Sequence, residues 1–69
     1  MKKVSKRLNS EHLNGMVKAL RQTKVFNIDR DHSQGTVIIT HPKAGEVFRA
    51  MKMGKVDLWL VRHVDNLFA

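Results

Sequence analysis

Side chains capable of acid–base or nucleophilic chemistry are few in this sequence and lie far apart. The 69 residues include no cysteine and no tyrosine. A general acid–base pair needs two ionisable groups held close together, and Asp57, predicted on a strand with Trp59 and His63, offers the one such arrangement. A chain of this length also lacks the walls of a water-excluding pocket. We therefore predict that the protein is not an enzyme and has no catalytic residues.

Candidate metal ligands show no recognisable spacing either. The histidines are His12, His32, His41 and His63. They fall in four different predicted elements, without the short spacings of zinc sites. The segment 29–35, DRDHSQG, has oxygen-bearing side chains at alternate positions, but its glycine comes one place later than a calcium loop requires. Because turn residues of a hairpin account for these types, we predict neither a metal nor another cofactor.

Positive charge is the main functional signal. Thirteen Lys and Arg against six Asp and Glu give a formal net charge of +7, which favours nucleic acid or an acidic protein as the partner. We expect phosphate contacts from the N-terminal segment and the first helix, with a tryptophan and an arginine of the last strand touching bases. The predicted nucleic-acid-binding residues are Lys2, Lys3, Lys6, Arg7, Lys18, Arg21, Lys24, Trp59 and Arg62. Such a protein, DNA- or RNA-binding, would be a non-catalytic accessory or regulatory factor.

A protein-interaction module is the alternative hypothesis. Ile38, Trp59 and Val61 are predicted to lie together on an open sheet face, and exposed apolar clusters usually mark a contact. The module would dock on an acidic partner as an adaptor or inhibitor, similar in size and charge to the small proteins with which phages interfere with host machinery. A small core without disulfides also favours a homodimer.

The sequence argues against a membrane protein. No apolar run approaches the about 20 residues that cross a bilayer, and the basic N-terminus is not followed by an apolar signal core. A polybasic segment needs a second signal for stable anchoring. The absence of cysteine suits a reducing compartment, and we expect a cytoplasmic protein.

The elements that position these residues are predicted to be a flexible basic arm over residues 1–8 and one α+β domain over residues 9–69. A first helix begins at Asn9, a favoured N-cap residue, with Glu11 in the first turn where the helix dipole favours an anion. Apolar residues then recur at helical spacing. They are Leu13, Met16, Val17 and Leu20.

The rest of the chain predicts a hairpin, a helix and a strand. Residues 24–29 and 36–40 read as the hairpin strands, with Gly35 in the loop. Residues 43–55 have apolar side chains at helical spacing and Glu46 three positions before Arg49, as a helical ion pair would. Residues 55–63 alternate as a third strand. The predicted order is α-β-β-α-β, with both helices on one face of a three-stranded sheet and Trp59 and Val61 on the other face.

Overall fold

A computed structural model describes residues 3–64 and contains one helix on one face of a five-stranded antiparallel sheet. The elements are β1 (Lys3–Leu8), α1 (Ser10–Gln22), β2 (Asn27–Asp31), β3 (Thr36–His41), β4 (Gly45–Lys52) and β5 (Trp59–Val64). The strand order is β1-β5-β4-β3-β2, so β1 and β2 form the two edges. The prediction of three strands with two helices is therefore wrong. Lys2 and residues 65–69 lie outside the described residues.

Helix α1 begins where its sequence predicts, after the N-cap residue Asn9. The Asn9 side chain accepts a hydrogen bond from the His12 N–H at 2.8 Å, which satisfies one unpaired donor of the first turn. At the other end the Thr23 hydroxyl donates to the Leu20 carbonyl at 2.7 Å. Lys24 follows in the left-handed conformation, with φ of 59°, a position usually held by glycine.

The core lies between α1 and the sheet. Leu13, Val17 and Leu20 of the predicted apolar stripe are buried, and Met16 packs partly against them. From the sheet come Val37, Ile39, Val47, Phe48, Ala50, Trp59, Val61 and Val64. Phe48 is the largest fully buried side chain, and burying a residue of that type contributes about 2–3 kcal/mol.

The predicted second helix over residues 43–55 is instead β4 and part of the following turn. A β-bulge explains the error. Ile39 pairs with Phe48 and the next residue, Thr40, pairs with Glu46, so Val47 is an extra residue in β4. Val47 and Phe48 are consequently both buried, followed by Ala50. Buried positions 47, 48 and 50 resemble a helical stripe more than the period of two that a regular strand shows.

Residues expected to form most of the flexible arm form an edge strand instead. β1 pairs antiparallel with β5, with Val4 opposite His63 and Leu8 opposite Trp59. Lys6, opposite Val61, is an exposed residue at the edge of the covered sheet face. Charged side chains suit such an edge because they discourage pairing with another strand.

A hairpin forms in the predicted region, but its first strand is Asn27–Asp31 and not residues 24–29, and the third strand has its faces exchanged. Gly35 in the hairpin loop adopts the left-handed conformation, with φ of 64°, and β3 ends at His41 before the proline. Strand β5 begins only at Trp59, and Val56 and Leu58 before it are 55% and 39% exposed. Because every residue from Leu58 to Val61 is apolar, the alternation in this stretch does not show which side faces the core.

Candidate nucleic-acid interface

The sheet side opposite α1, here called the open face, has no element packed on it within residues 3–64. The strand register arranges its central side chains in two rows, each running from β1 to β2. The first row is Ser5, Arg62, Arg49, Ile38 and Asp29. The second row is Arg7, Leu60, Met51, Thr36 and Asp31. In these two rows the basic residues thus lie on β1, β5 and β4, and the acidic residues on β2.

Three guanidinium groups share the basic half of the open face. Arg7, Arg49 and Arg62, here called the arginine cluster, lie on three neighbouring strands. Arg49 and Arg62 line a depression of about 380 Å³ together with Ser5, Leu60 and Met51. Met51 is 44% exposed. Arg49 and Arg62 are direct cross-strand partners, a pairing of like charges that costs stability unless an anion lies nearby.

Arg49 has a carboxylate partner in the protein. Its Nε and Nη2 donate to Glu46 Oε1 at 3.0 and 2.6 Å. The sequence predicts this pair, but for a helix. In a regular strand residues three apart point to opposite faces, and the extra residue of the bulge brings Glu46 and Arg49 onto the same face. Within residues 3–64 this is the ion pair that the structure contains, and Arg7 and Arg62 have none there.

Two carboxylates of the described residues, Asp31 and Asp57, are held by hydrogen bonds from nearby residues. Asp31 accepts hydrogen bonds from the Ser33 hydroxyl at 2.7 Å and the Gln34 N–H at 3.3 Å, and these bonds lower the pKa of Asp31. This turn occupies the segment that resembles a calcium loop. No group of three or more metal-ligating side chains occurs among the described residues.

Asp57 accepts hydrogen bonds at the N-terminus of α1. Its Oδ1 accepts from the Ser10 N–H at 3.1 Å and from the Ser10 hydroxyl, and these two bonds, assisted by nearby Lys52, lower the pKa of Asp57. The Ser10 hydroxyl in turn accepts from Trp59 Nε1 at 3.1 Å. Asp57 therefore holds the helix through Ser10 in place of the acid–base arrangement drawn from the sequence.

Of the residues predicted for the alternative protein interface, only Ile38 lies on the open face. Trp59 is 7% exposed and Val61 is fully buried, both beneath α1. Trp59 is therefore also not placed for the base contact expected of it. Arg62, its partner in that expectation, does lie on the open face.

Cations predicted on the first helix line a second surface on the other side of the sheet. Lys18, Arg21 and Lys24 border a groove of about 670 Å³ between α1 and the β2–β3 hairpin, with Arg30 and His32 on the hairpin side. We call this the helix–hairpin groove. Lys2 lies outside the described residues, and Lys3 belongs to β1.

Sequence reasoning missed the part played by Arg30 and Arg49. Arg30 follows Phe26 and Ile28 at alternate positions, and that alternation places it on the covered side, where its Nη1 donates to Asn14 Oδ1 at 3.3 Å. Arg49 was assigned to a helix, so its cross-strand position beside Arg62 had no sequence signal.

Comparisons with known proteins add no functional assignment. The chain matches no protein-family model, no curated protein and no solved structure. In the part of the chain that the structure describes, no helix has the length and apolar character needed to cross a membrane.

Proposed function

We propose that this protein is a non-catalytic accessory or regulatory factor that binds nucleic acid on its open face. The observation that carries the proposal is the arginine cluster: three arginines on the open face, of which Arg49 alone has a carboxylate partner among the described residues. Guanidinium groups match phosphate geometry with paired donors and remain charged at any physiological pH. The proposal places this function in the cytoplasm, in line with a sequence that lacks cysteine.

The proposed contacts are to the sugar–phosphate backbone and not to stacked bases. Binding by stacking needs aromatic rings on the contact surface. Among the described residues, Phe48 and Trp59 are buried beneath α1, and Phe26 packs against the core and the His41 ring. We therefore expect binding that tolerates changes of base sequence.

The charge distribution limits the path that a bound strand can take across the open face. Asp29 and Asp31 lie at the β2 end of the two rows, opposite the arginine cluster. A polyanion would avoid this end because like charges repel it. Its path on the open face therefore runs over β1, β5 and β4.

A salt titration with a charge-reversal pair tests the proposal. Fluorescence anisotropy of a labelled duplex and a labelled single strand would be followed from about 20 to 300 mM salt. Neutralising about three phosphates gives a slope of about −3 for log affinity against log salt on a duplex. Arg62→Glu should lower affinity at least about tenfold near 100 mM salt. Lys55→Glu, in the β4–β5 turn, makes the same change in net charge away from the open face and should have a much smaller effect.

Two results would contradict the proposal. One is an absence of binding even at low salt. The other is an equal loss of affinity in Arg62→Glu and Lys55→Glu, which would mean that net charge alone drives binding.

Docking of an acidic protein on the open face is the second candidate function. It is favoured by Met51 and Leu60, apolar side chains set between arginines, a mixture common at protein interfaces. A homodimer that joined two open faces would bring two arginine clusters together, which like-charge repulsion opposes. Light scattering at high protein concentration checks for that dimer. A stable dimer that Met51→Glu dissociates would favour the protein-interaction hypothesis over nucleic acid.

A further inference from the structure

The helix–hairpin groove concentrates positive charge. Lys18 and Arg21 are three residues apart on one flank of α1, and Arg30 and His32 face them from the hairpin. No acidic residue is among the described residues that line the groove. Arg30 is held in place by its hydrogen bond to Asn14. The groove thus presents cationic side chains on both walls, a geometry that suits a phosphate chain.

Lys24 is a second sign that the groove is more than a solvated helix surface. It occupies the left-handed position after the helix C-cap, where its N–H donates to the Arg21 carbonyl at 3.2 Å. Glycine adopts this conformation without the steric cost that any other residue meets there. Residues in such conformations cluster at functional sites, and here the residue is a lysine that lines the groove.

The two basic surfaces cannot be joined by one continuous polyanion around the near edge of the sheet. The groove lies over the β2–β3 hairpin on the helix side, whereas the arginine cluster lies under β1, β5 and β4 on the opposite side. The short route between them passes the β2 edge. Asp29 and Asp31 line that edge on the open face, so a strand following this route would meet negative charge.

We propose that the helix–hairpin groove is a second phosphate-binding surface and that the protein bridges two separate nucleic-acid segments, one on each side of the sheet. The bridging rests on the proposed function of the open face. The groove itself rests on the independent observations of its cations and of Lys24.

Energy transfer between two duplexes tests the bridging directly. Donor- and acceptor-labelled duplexes of about 20 base pairs would be mixed with the full chain at about 50 mM salt, where phosphate contacts are strong. The protein should produce acceptor emission that disappears as salt is raised. Lys18→Glu/Arg21→Glu should abolish the transfer while single-duplex affinity stays within about twofold. Arg7→Glu/Arg62→Glu should abolish it too, with single-duplex binding reduced to that of the groove.

The outcomes separate this inference from the function on which it rests. Transfer that persists in Lys18→Glu/Arg21→Glu would overturn the inference, because two copies joined to each other would then be doing the bridging. Single-duplex affinity that is unchanged in Arg7→Glu/Arg62→Glu would overturn the proposed function of the open face. If Lys18→Glu/Arg21→Glu lost its single-duplex affinity while Arg7→Glu/Arg62→Glu kept it, the groove would be the one nucleic-acid site. That result would overturn the bridging.

Lys24→Gly excludes misfolding as an explanation. Glycine relieves the left-handed conformation, so the melting temperature should rise by a few degrees, while energy transfer should fall about threefold or more. A purely structural Lys24 would change the melting temperature alone and would count against the inference.

Free phosphorylated molecules are the other source of the same chemistry. ATP without nucleic acid would be titrated into the protein and followed by calorimetry. Binding at micromolar ATP that Lys18→Glu/Arg21→Glu removes, together with no energy transfer, would assign the groove to a free nucleotide and overturn the bridging. Weak, millimolar ATP binding together with transfer supports a polymer in the groove.

Discussion

The two faces of the sheet use the same strands for opposite purposes. On the covered face, Phe48 and Val61 are completely buried against α1. One position further along each of these strands, Arg49 and Arg62 lie on the open face and bear charge. Adjacent residues of one strand therefore have different roles. Substitutions on the covered face should change stability and leave binding intact, and substitutions on the open face should change binding and leave stability intact.

The largest expected effect is on the covered face of β4. Phe48→Ala should lower the free energy of unfolding by about 3–5 kcal/mol, since it leaves a cavity in a small core. A domain of this length has a total stability of roughly 3–10 kcal/mol, so the variant will be marginal. Met51→Ala, on the open face of the same strand, should cost less than about 1 kcal/mol. Urea unfolding followed by the fluorescence of buried Trp59 measures both, and equal losses would contradict the division between the faces.

The next effect concerns binding at β5. Arg62→Ala should reduce the salt slope of nucleic-acid binding by about 1 and leave the urea midpoint nearly unchanged. Val61→Ala, its neighbour on the covered face, should shift the urea midpoint and leave the slope alone. A variant that moved both quantities equally would show that binding and core packing are coupled across the sheet.

A smaller effect, on stability alone, is expected from the ionisation of Asp57 and should depend on pH. Its hydrogen bonds from Ser10 lower the folded-state pKa, so the stabilisation is present above the unfolded-state pKa of about 4. It is lost as pH falls through the folded-state pKa. Asp57→Asn should therefore be less stable than the natural chain at pH 7, and the difference should disappear at the acid end.

Urea midpoints at several values between pH 7 and 2 check this prediction. Asp29→Asn serves as the control, because the structure gives the Asp29 side chain no hydrogen bond to a described residue. A constant difference between Asp57→Asn and the natural chain across the whole range would contradict the link to ionisation.

The smallest effect should come from the acidic end of the open face. Asp29→Asn removes a charge that repels the polyanion, so nucleic-acid affinity should rise by about two- to threefold at low salt and the urea midpoint should not change. Glu11→Gln, on α1 across the sheet, makes the same change in net charge. Equal gains in both variants would show that the path proposed for the bound strand, over β1, β5 and β4, is wrong.

The sequence predicts α1 much better than β4, for a physical reason. The signals of α1 are local: the Asn9 cap and an apolar stripe at helical spacing are both contained in the segment. The bulge of β4 exists only because β3 pairs on both sides of Val47. Its consecutive buried residues produce a spacing similar to that of a helix. No neighbouring residue in the sequence indicates a strand instead. The hairpin of β2 and β3 is predictable because its strands alternate and Gly35 marks the loop.

The candidate sites divide in the same way. Lys18, Arg21 and Lys24 were predicted together because helical spacing and chain order bring them together, and the structure places them around one groove. The arginine cluster joins residues from strands distant in sequence, and only the register between β1, β5 and β4 shows it. Trp59 was expected on the open face because its stretch is apolar on both sides. Its hydrogen bond to Ser10, 49 positions away, marks the covered face and has no local signal.

The pairing of β1 with β5 has a consequence for how the protein is made. β1 lies at an edge, so β5 is its one neighbour in the sheet, and more than 50 residues separate Val4 from its partner His63. At a synthesis rate of about 5–20 residues per second, β1 waits roughly 3–10 s for that partner to be made. The charged side chains of Lys6 and Arg7, both exposed in the folded protein, favour a hydrated segment during this time. The same charges that blunt the sheet edge in the native protein thus protect the nascent chain from premature association.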